Sequence, residues 1–282
     1  MDRIINAMTK SKNIQGFIAL TRDSVKAGAS GHKMNIISEC IFARALTAGV
    51  LLGGNLKNEG DKLILSWNCT GPAKKIVIET SSNGEVRGFI EDNNLQLIEK
   101  SIDGGTILSE PYIGFGDITV SRYSGLNAEP YHSVSVIESG EIAHDIAVYL
   151  DQSLQIQTCI NIGLEIAVDG EPNVCGGMLL MAMPGATEDE IKQLFDKFNS
   201  IPSFTTLLKC DGMTEDEMIK ALLDRFGMEQ VFEKPVSFRC HCDSASIGKM
   251  LESMTDEMRN ESKDADGHIR AVCQYCGKEY RF

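Results

Sequence analysis

Apolar and polar residues alternate over much of residues 61 to 137, the pattern of strands that bury one face. In the segment Asp61–Cys69, for example, Leu63, Leu65 and Trp67 would share one side of a strand. The run Ser82-Asn83-Gly84 lies between two such segments and is typical of a hairpin turn. We therefore predict a strand-rich region, carried by residues 61–69, 75–79, 86–90 and 133–136.

Two longer segments have apolar residues at helical spacing. Glu39 to about Leu52 predicts a mostly buried helix that ends near Gly53-Gly54, where glycine does not favour helix. From Gly140 to about Gln157, every fourth residue from Ile142 to Leu150 is apolar, which predicts a second helix. Shorter runs predict strands at 15–20 and 159–168, and a turn at 170–173.

The composition changes at Pro184-Gly185, where two short amphipathic helices are predicted to follow. Thr187 with Glu190, and Thr214 with Glu217, each fit a capping box at a helix start. Gly227 could end the second helix in a left-handed conformation. These helices either cover a sheet edge, as such patterns usually do, or form a linker that docks weakly and can detach. We place this segment at 184–235, between a large domain at 1–183 and a small one at 236–282.

Charge and length narrow the class of protein. The chain has 282 residues and a net charge of −13, and an acidic surface gains little from nucleic-acid phosphates, so no nucleic-acid partner is expected. Its apolar runs are too short to predict a membrane span. The first residues lack the features of a signal peptide, so we expect a cytoplasmic protein. In that reducing compartment nine cysteines are not expected to form a disulfide framework.

Four of the nine cysteines form two close pairs near the C-terminus. Cys240 and Cys242 make a Cys-x-Cys pair, and Cys273 and Cys276 make a Cys-x-x-Cys pair followed by Gly277. Two such pairs can supply the four thiolates of one tetrahedral Zn²⁺ site, one ion per chain. A Cys₃His site using His241 or His268 is a weaker alternative, as is a set of four unrelated thiols. A closed four-thiolate site leaves no position for a catalytic water, whereas its thiolates can respond to oxidants.

The remaining residues with reactive side chains suggest no further site. Five isolated cysteines lie in apolar patterns and are predicted to be core residues: Cys40, Cys69, Cys159, Cys175 and Cys210. Three methionines, Met250, Met254 and Met258, recur at helical spacing between the cysteine pairs and are predicted to form the core of the small domain, although such flexible side chains could instead adapt to varied binding surfaces. His32, His132 and His144 have no partner at a recognisable spacing, and we predict no catalytic residues.

With these motifs in place, the chain resembles the redox-regulated 33 kDa heat-shock chaperone family over essentially its full length. The resemblance includes the Cys-x-Cys and Cys-x-x-Cys pairs and the gap between them. It also includes four N-terminal segments, 45–49 with 56–57, 84–89, 140–150 and 176–179.

The resemblance implies an α+β fold with a strand-rich N-terminal domain, a helical linker and a small four-cysteine zinc domain. It implies an ATP-independent holdase whose zinc-bound, reduced form is inactive. Oxidation would form the disulfides Cys240–Cys242 and Cys273–Cys276, release zinc, unfold the linker and zinc domain, and yield a homodimer that holds unfolding client proteins. The four cysteines carry over residue by residue.

The sequence departs from the family at two places. Residues 153–157 differ from the usual Ser-Glu-Gln-Ile-Pro, and Asp243-Ser244-Ala245-Ser246 replaces a Ser-Arg-x-Arg run. We expect the second change to make the thiolates less acidic and the switch slower. Two rival functions remain at this stage: a thiol-disulfide oxidoreductase using Cys273 and Cys276, and a zinc-ribbon interaction module.

Overall fold

The computed structural model describes residues 1–125, 129–167, 171–209 and 212–282. It has an α+β architecture, as predicted. The described helices are α1 Arg22–His32, α2 Ile36–Gly53, α3 Glu110–Ile113, α4 Ile142–Leu154, α5 Glu188–Asn199, α6 Phe204–Leu208, α7 Glu215–Phe226, α8 Ser244–Glu252 and α9 Asp256–Glu261.

The strands form two large sheets and two short hairpins. In chain order they are β1 Arg3–Thr9, β2 Ile14–Leu20, β3 Lys62–Cys69, β4 Lys75–Ser81, β5 Glu85–Ile90, β6 Ile102–Asp103, β7 Thr106–Ile107, β8 Gly116–Tyr123, β9 Tyr131–Val136, β10 Thr158–Ile166, β11 Pro172–Ala182, β12 Met228–Pro235, β13 Ser237–Phe238, β14 Arg270–Val272 and β15 Glu279–Arg281.

The first sheet is antiparallel, with the strand order β10-β11-β2-β1-β12. Strand β1 lies between β2 and β12, so the chain returns to its N-terminal strand after passing through α5, α6 and α7. The second sheet has the order β13-β5-β4-β3-β8-β9. Its short strand β13 pairs in parallel with β5, the one parallel pairing among the described strands of this sheet.

Helix α2 packs between the two sheets at the centre of the larger hydrophobic core. Its residues are buried around the helix, and side chains from both sheets surround it, among them Phe17 and Trp67. It is also long and apolar enough to cross a membrane, but 78% of it is buried inside the protein. Burial on all sides identifies it as a core helix.

A second hydrophobic core lies between the first sheet and helices α5, α6 and α7. Phe204, Leu222 and Phe226 from the helices pack in one cluster with Ile18 and Leu180 from the sheet. Both predicted capping boxes are present, and Gly227 ends α7 in the left-handed conformation. These helices therefore dock on a sheet face through a continuous apolar contact.

Most long elements agree with the sequence-based predictions, and several short ones were missed. The predicted strands, both long helices and both capped helices are confirmed, although Val168, the last residue of the strand predicted at 159–168, lies outside the described residues. The elements β1, α1 and α6 were not predicted. The predicted turn at 170–173 includes Gly170, which lies outside the described residues, and Pro172 and Asn173 begin β11 instead. The domain limits 183/184 and 235/236 stay a prediction.

Candidate metal centre

The four predicted ligands come together in the small C-terminal module, residues 240–282. Cys240 and Cys242 lie just after β13, which holds them beside β5 of the second sheet. Cys273 and Cys276 lie in the turn of the β14–β15 hairpin. Each cysteine pair is thus positioned by a short strand that is itself paired with another strand, β13 with β5 and β14 with β15.

The sulfur atoms have the spacing of a tetrahedral zinc site. All four Sγ atoms lie within 4.8 Å of one another. The Sγ atoms of Cys240 and Cys273 are 3.8 Å apart, and those of Cys242 and Cys276 are 3.4 Å apart. Zinc–thiolate bonds of about 2.3 Å in a tetrahedron place the sulfurs about 3.8 Å apart. The donor set therefore fits such an ion, and these distances are far longer than an S–S bond.

The turn that carries Cys273 and Cys276 is closed by the backbone. The amide of Gly277 donates to the carbonyl of Cys273 at 2.8 Å, and the amide of Cys273 donates to that of Lys278 at 2.9 Å. Gly277 has a φ of +69°, which favours glycine. A Cβ atom there would also overlap the carbonyl oxygen of Gly31 in α1. This glycine therefore shapes the turn and lets it approach the N-terminal part of the chain.

Hydrogen bonds and burial shift the pKa values of Cys242, Cys273 and Cys276 in different directions. Burial opposes ionisation of Cys242, but hydrogen bonds from the Tyr280 hydroxyl (3.2 Å) and from the other thiols lower its pKa to about 7. Burial raises the pKa values of Cys273 and Cys276. Tyr280 also donates to the carbonyl of Cys242 at 3.0 Å, which links β15 to the Cys-x-Cys turn. Neighbouring donors therefore favour a thiolate at Cys242, whereas burial favours the neutral thiol at Cys273 and Cys276.

The module docks on the outer face of β4 and β5. Tyr275 packs edge-on against Phe89, with ring centroids 5.8 Å apart. The guanidinium of Arg87 lies over the Tyr275 ring at 4.2 Å, and its Nη1 is 3.9 Å from Cys240 Sγ. Glu79 accepts two hydrogen bonds from Arg87, at 3.0 and 2.8 Å. Both metal-ligand turns are thus in contact with one arginine of the second sheet.

The two histidines considered as spare ligands have other roles. His241 Nε2 lies 2.7 Å from a carboxylate oxygen of Glu85, and Arg239 is 3.6 Å from the same side chain. His268 is exposed, and its amide donates to Asp264. The group of residues that could hold a metal ion consists of the four cysteines, without either histidine.

The isolated cysteines behave largely as predicted. Cys40, Cys159 and Cys175 are buried, and burial raises their pKa values to about 11, 12 and 11, respectively. Cys69 is half-buried against the larger core, and burial raises its pKa to about 12. Cys210 lies outside the described residues. None of the four described thiols has the lowered pKa of a reactive cysteine.

The prediction that three methionines form the core of the small domain is wrong. Met250 is 70% exposed and Met258 is 51% exposed, while Met254 is half-buried. No residue of α8 or α9 is buried, because the module has no second layer against which those helices could pack. Of residues 240 to 282, Ile269 and Tyr280 alone are buried.

Sequence reasoning located the four cysteines but missed the residues around them. The sequence patterns single out none of the residues Arg87, Glu79, Tyr275 and Tyr280. One feature of the sequence did point to a contact, because Tyr275 lies inside the Cys-x-x-Cys turn and an aromatic side chain there is expected to pack against another part of the protein. The partner itself comes from a strand more than 150 positions away, which spacing cannot reveal.

Comparison with known proteins places the chain in a family. A family model described as Hsp33 protein matches residues 2–282. The 33 kDa chaperonin of Geobacter sulfurreducens is 30% identical, with 100% of this chain and 92% of that protein covered. The 33 kDa chaperonin of Thermus thermophilus is 31% identical, with coverage of 100% and 84%. The crystal structure of a 33 kDa chaperonin from Thermotoga maritima is 22% identical, has a TM-score of 0.88, and matches in fold over 100% of this chain and 94% of that one.

Together with the four-cysteine cluster, these matches define the class as a redox-regulated holdase chaperone, rather than an enzyme. The chain belongs to the Hsp33 family. The oxidoreductase and zinc-ribbon alternatives are set aside with this assignment.

Proposed function

We propose that Cys240, Cys242, Cys273 and Cys276 bind one Zn²⁺ per chain in the reduced protein and that their oxidation activates the chaperone. The observation that carries this proposal is the set of four sulfurs at tetrahedral spacing in a module with almost no core of its own. Bound zinc would tie the two turns together and supply folding energy that the module lacks. The acidic chain would work in the cytoplasm on unfolded client proteins.

The chemical step pairs the cysteines within each turn, as Cys240–Cys242 and Cys273–Cys276. In each pair two thiolates lose two electrons and form one S–S bond. Hydrogen peroxide accepts those electrons with two protons and becomes two molecules of water. Both disulfides require two molecules of peroxide, and the four ligands are then unavailable to a metal. Sulfur atoms of both turns must move for this, because the structure places each one near a sulfur of the opposite turn.

Loss of the cluster should unfold the module and weaken its attachment to the second sheet. Residues 236–282 form the proposed redox-switch domain, and 184–235 the proposed linker. Helices α5 to α7 in that linker cover an apolar face of the first sheet. Their release would uncover Ile18, Met178 and Leu180, a surface suited to unfolded clients. The proposed client-binding and dimerisation domain is 1–183, and the active form is a homodimer.

The test measures zinc release and suppression of thermal aggregation of a test protein, before and after peroxide. We expect the zinc-loaded protein to be inactive, and oxidation to release one zinc per chain and switch on suppression. Cys273→Ser should lose zinc without oxidant, whereas Cys69→Ser, a change outside the cluster, should behave as the wild type. Equal suppression by the zinc-loaded and oxidised forms would sink the proposed switch.

A further inference from the structure

Arg87 is held in one orientation by the second sheet. It lies on β5, and one guanidinium nitrogen, Nη2, donates to both carboxylate oxygens of Glu79 on the neighbouring strand β4. The side chain of Glu79 is only 8% exposed, and that of Arg87 is 26% exposed. This charge-assisted contact with a nearly buried carboxylate holds the guanidinium in place and leaves its second terminal nitrogen, Nη1, directed at the module. Arg87 therefore reaches the C-terminal module as a rigid cation.

The same guanidinium contacts both ligand-bearing turns. One nitrogen is 3.9 Å from Cys240 Sγ, and the plane lies 4.2 Å from the ring of Tyr275, which is placed between Cys273 and Cys276. Other cations near the module point elsewhere: Arg239 faces Glu85, and Lys278 lies over Tyr280. Among the described residues, Arg87 is the cation that hydrogen bonds to a sulfur of the cluster.

The charge of the cluster changes with its oxidation state. Four thiolates around one Zn²⁺ carry two net negative charges, whereas two disulfides carry none. A partly buried cation attracts the first form and gains nothing from the second. Of the contacts that Arg87 makes with the module, only the one with the Tyr275 ring would then remain. A single cation–π contact is weak beside a charge-assisted hydrogen bond.

We propose that Arg87 is a positioning residue that senses the charge of the cluster and couples its loss to release of the module from the second sheet. This inference rests on the proposed function, because it takes the oxidation of the four cysteines as its input. It assigns to the N-terminal part of the chain the positive charge that residues 243–246 do not provide. The cation next to the thiolates is then part of the docking surface itself, so that sensing and release share one contact.

The test compares Arg87→Gln and Arg87→Lys with Lys62→Gln as the matched control. Lys62 lies 3.7 Å from Glu79 and forms no ion pair or hydrogen bond with the described residues of the module, so its variant removes a cation from the same carboxylate only. The readout is hydrogen exchange at the Arg239 amide, which donates to the carbonyl of Val86 at 2.9 Å and reports docking. Zinc content is measured in parallel on the full chain.

In the zinc-loaded reduced protein, R87Q should exchange at Arg239 about tenfold faster than wild type, with zinc still at one per chain. R87K keeps the charge, but its single ammonium cannot contact Glu79 and Cys240 through two separate nitrogens, so it should lie between the two, and it carries the test if R87Q does not fold. After peroxide, all variants should exchange at the same rate. An equal effect of R87Q on both redox forms, or none on the reduced form, would overturn the inference.

The two proposals fail in different ways. If wild type does not lose zinc or gain activity with peroxide, the proposed function fails. If wild type switches normally while R87Q stays docked like K62Q, only the role of Arg87 fails.

Discussion

At the scale of single residues, Gly31 in α1 and Gly277 in the ligand turn meet back to back where the module touches the N-terminal part of the chain. A Cβ atom at Gly31 would lie 2.7 Å from the carbonyl oxygen of Cys276, closer than such atoms approach. The backbone there cannot yield without moving a ligand of the cluster. Close approach, rather than turn geometry, is the reason for glycine at position 31, because its conformation is that of an ordinary helix.

The substitution Gly31→Ala separates docking from helix stability. Alanine favours helix over glycine by up to about 1 kcal/mol, so α1 should become more stable in isolation. The overlap with Cys276 should nevertheless weaken docking of the module, and the zinc-loaded protein should show faster exchange at the Arg239 amide. Gly248→Ala, where a Cβ would meet only Phe282 at 3.5 Å, is the control. Unchanged exchange in Gly31→Ala would mean that the module can shift at no cost.

Glu39 is a buried carboxyl in the first turn of α2, and it predicts a pH dependence. Burial, helped by the negative charge of Glu171, raises its pKa from 4.5 to about 7. Lys26 and Lys33 line the same cleft, and Lys26 pairs with Glu171 at 2.5 Å. As pH rises from about 4.5 to 7, the unfolded chain releases this proton while the folded chain keeps it. The free energy of unfolding should therefore fall over that range.

The substitution Glu39→Gln should remove this contribution. We expect no gain at about pH 4.5, and a gain that grows to about 3 kcal/mol or less by about pH 8, because one pKa unit corresponds to about 1.4 kcal/mol. Urea unfolding of both proteins at the two pH values is the measurement. A constant difference between them would show that the effect comes from packing instead of ionisation.

At the scale of elements, the sequence predicts what its own periodicity and end signals encode. Helices α5 and α7 were predictable because an apolar stripe and a capping box agree on each. Helix α1 was missed because its sequence contains two glycines and few apolar residues, so its helical pattern is weak. It forms because the larger core and the ligand turn support it from outside.

The residues of the candidate site likewise fall into those that the sequence predicts and those that it does not. The four ligands could be predicted, since metal chemistry sets their type and their spacing along the chain. Arg87 and Glu79 could not, because the pairing of β4 with β5 and the docking of a distant module bring them to the cluster. The spacing of the ligands can be read from the local sequence. The charges around the ligands cannot, because they depend on tertiary contacts.

The capping box of α7 offers a prediction about the linker. Thr214 accepts a hydrogen bond from the amide of Glu217, and Glu217 accepts one from the amide of Thr214. Thr214→Ala should destabilise this helix start by about 1 kcal/mol and speed hydrogen exchange in α7 before any oxidation. Thr255→Ala, which removes the cap of α9 in the small module, serves as the comparison. Exchange in α7 that is as slow as in wild type would indicate that docking alone sets the order of the linker.

At the scale of the whole molecule, stability is unevenly distributed. The two sheets share a core around α2, while the module from 240 to 282 has two buried residues and relies on its cluster and its docked face. Small units without a core fold on metals when thiolates supply the binding energy. The proposed linker is expected to have an intermediate stability, since its three helices bury a continuous apolar contact against the first sheet. A local chemical change at the cluster can therefore unfold one part and leave the rest intact.

Removal of the metal without oxidation tests that arrangement directly. A strong chelator with reductant present should unfold residues 240–282, because the two cysteine turns are then no longer tied together and the two buried residues of the module supply little core. Hydrogen exchange should then rise throughout α8, α9 and the β14–β15 hairpin, while α2 and β3 keep their protection. Zinc added back should restore the original pattern, since no covalent bond has changed. If α2 loses protection together with the module, the two parts unfold as one unit, and loss of the cluster would inactivate the chaperone instead of activating it.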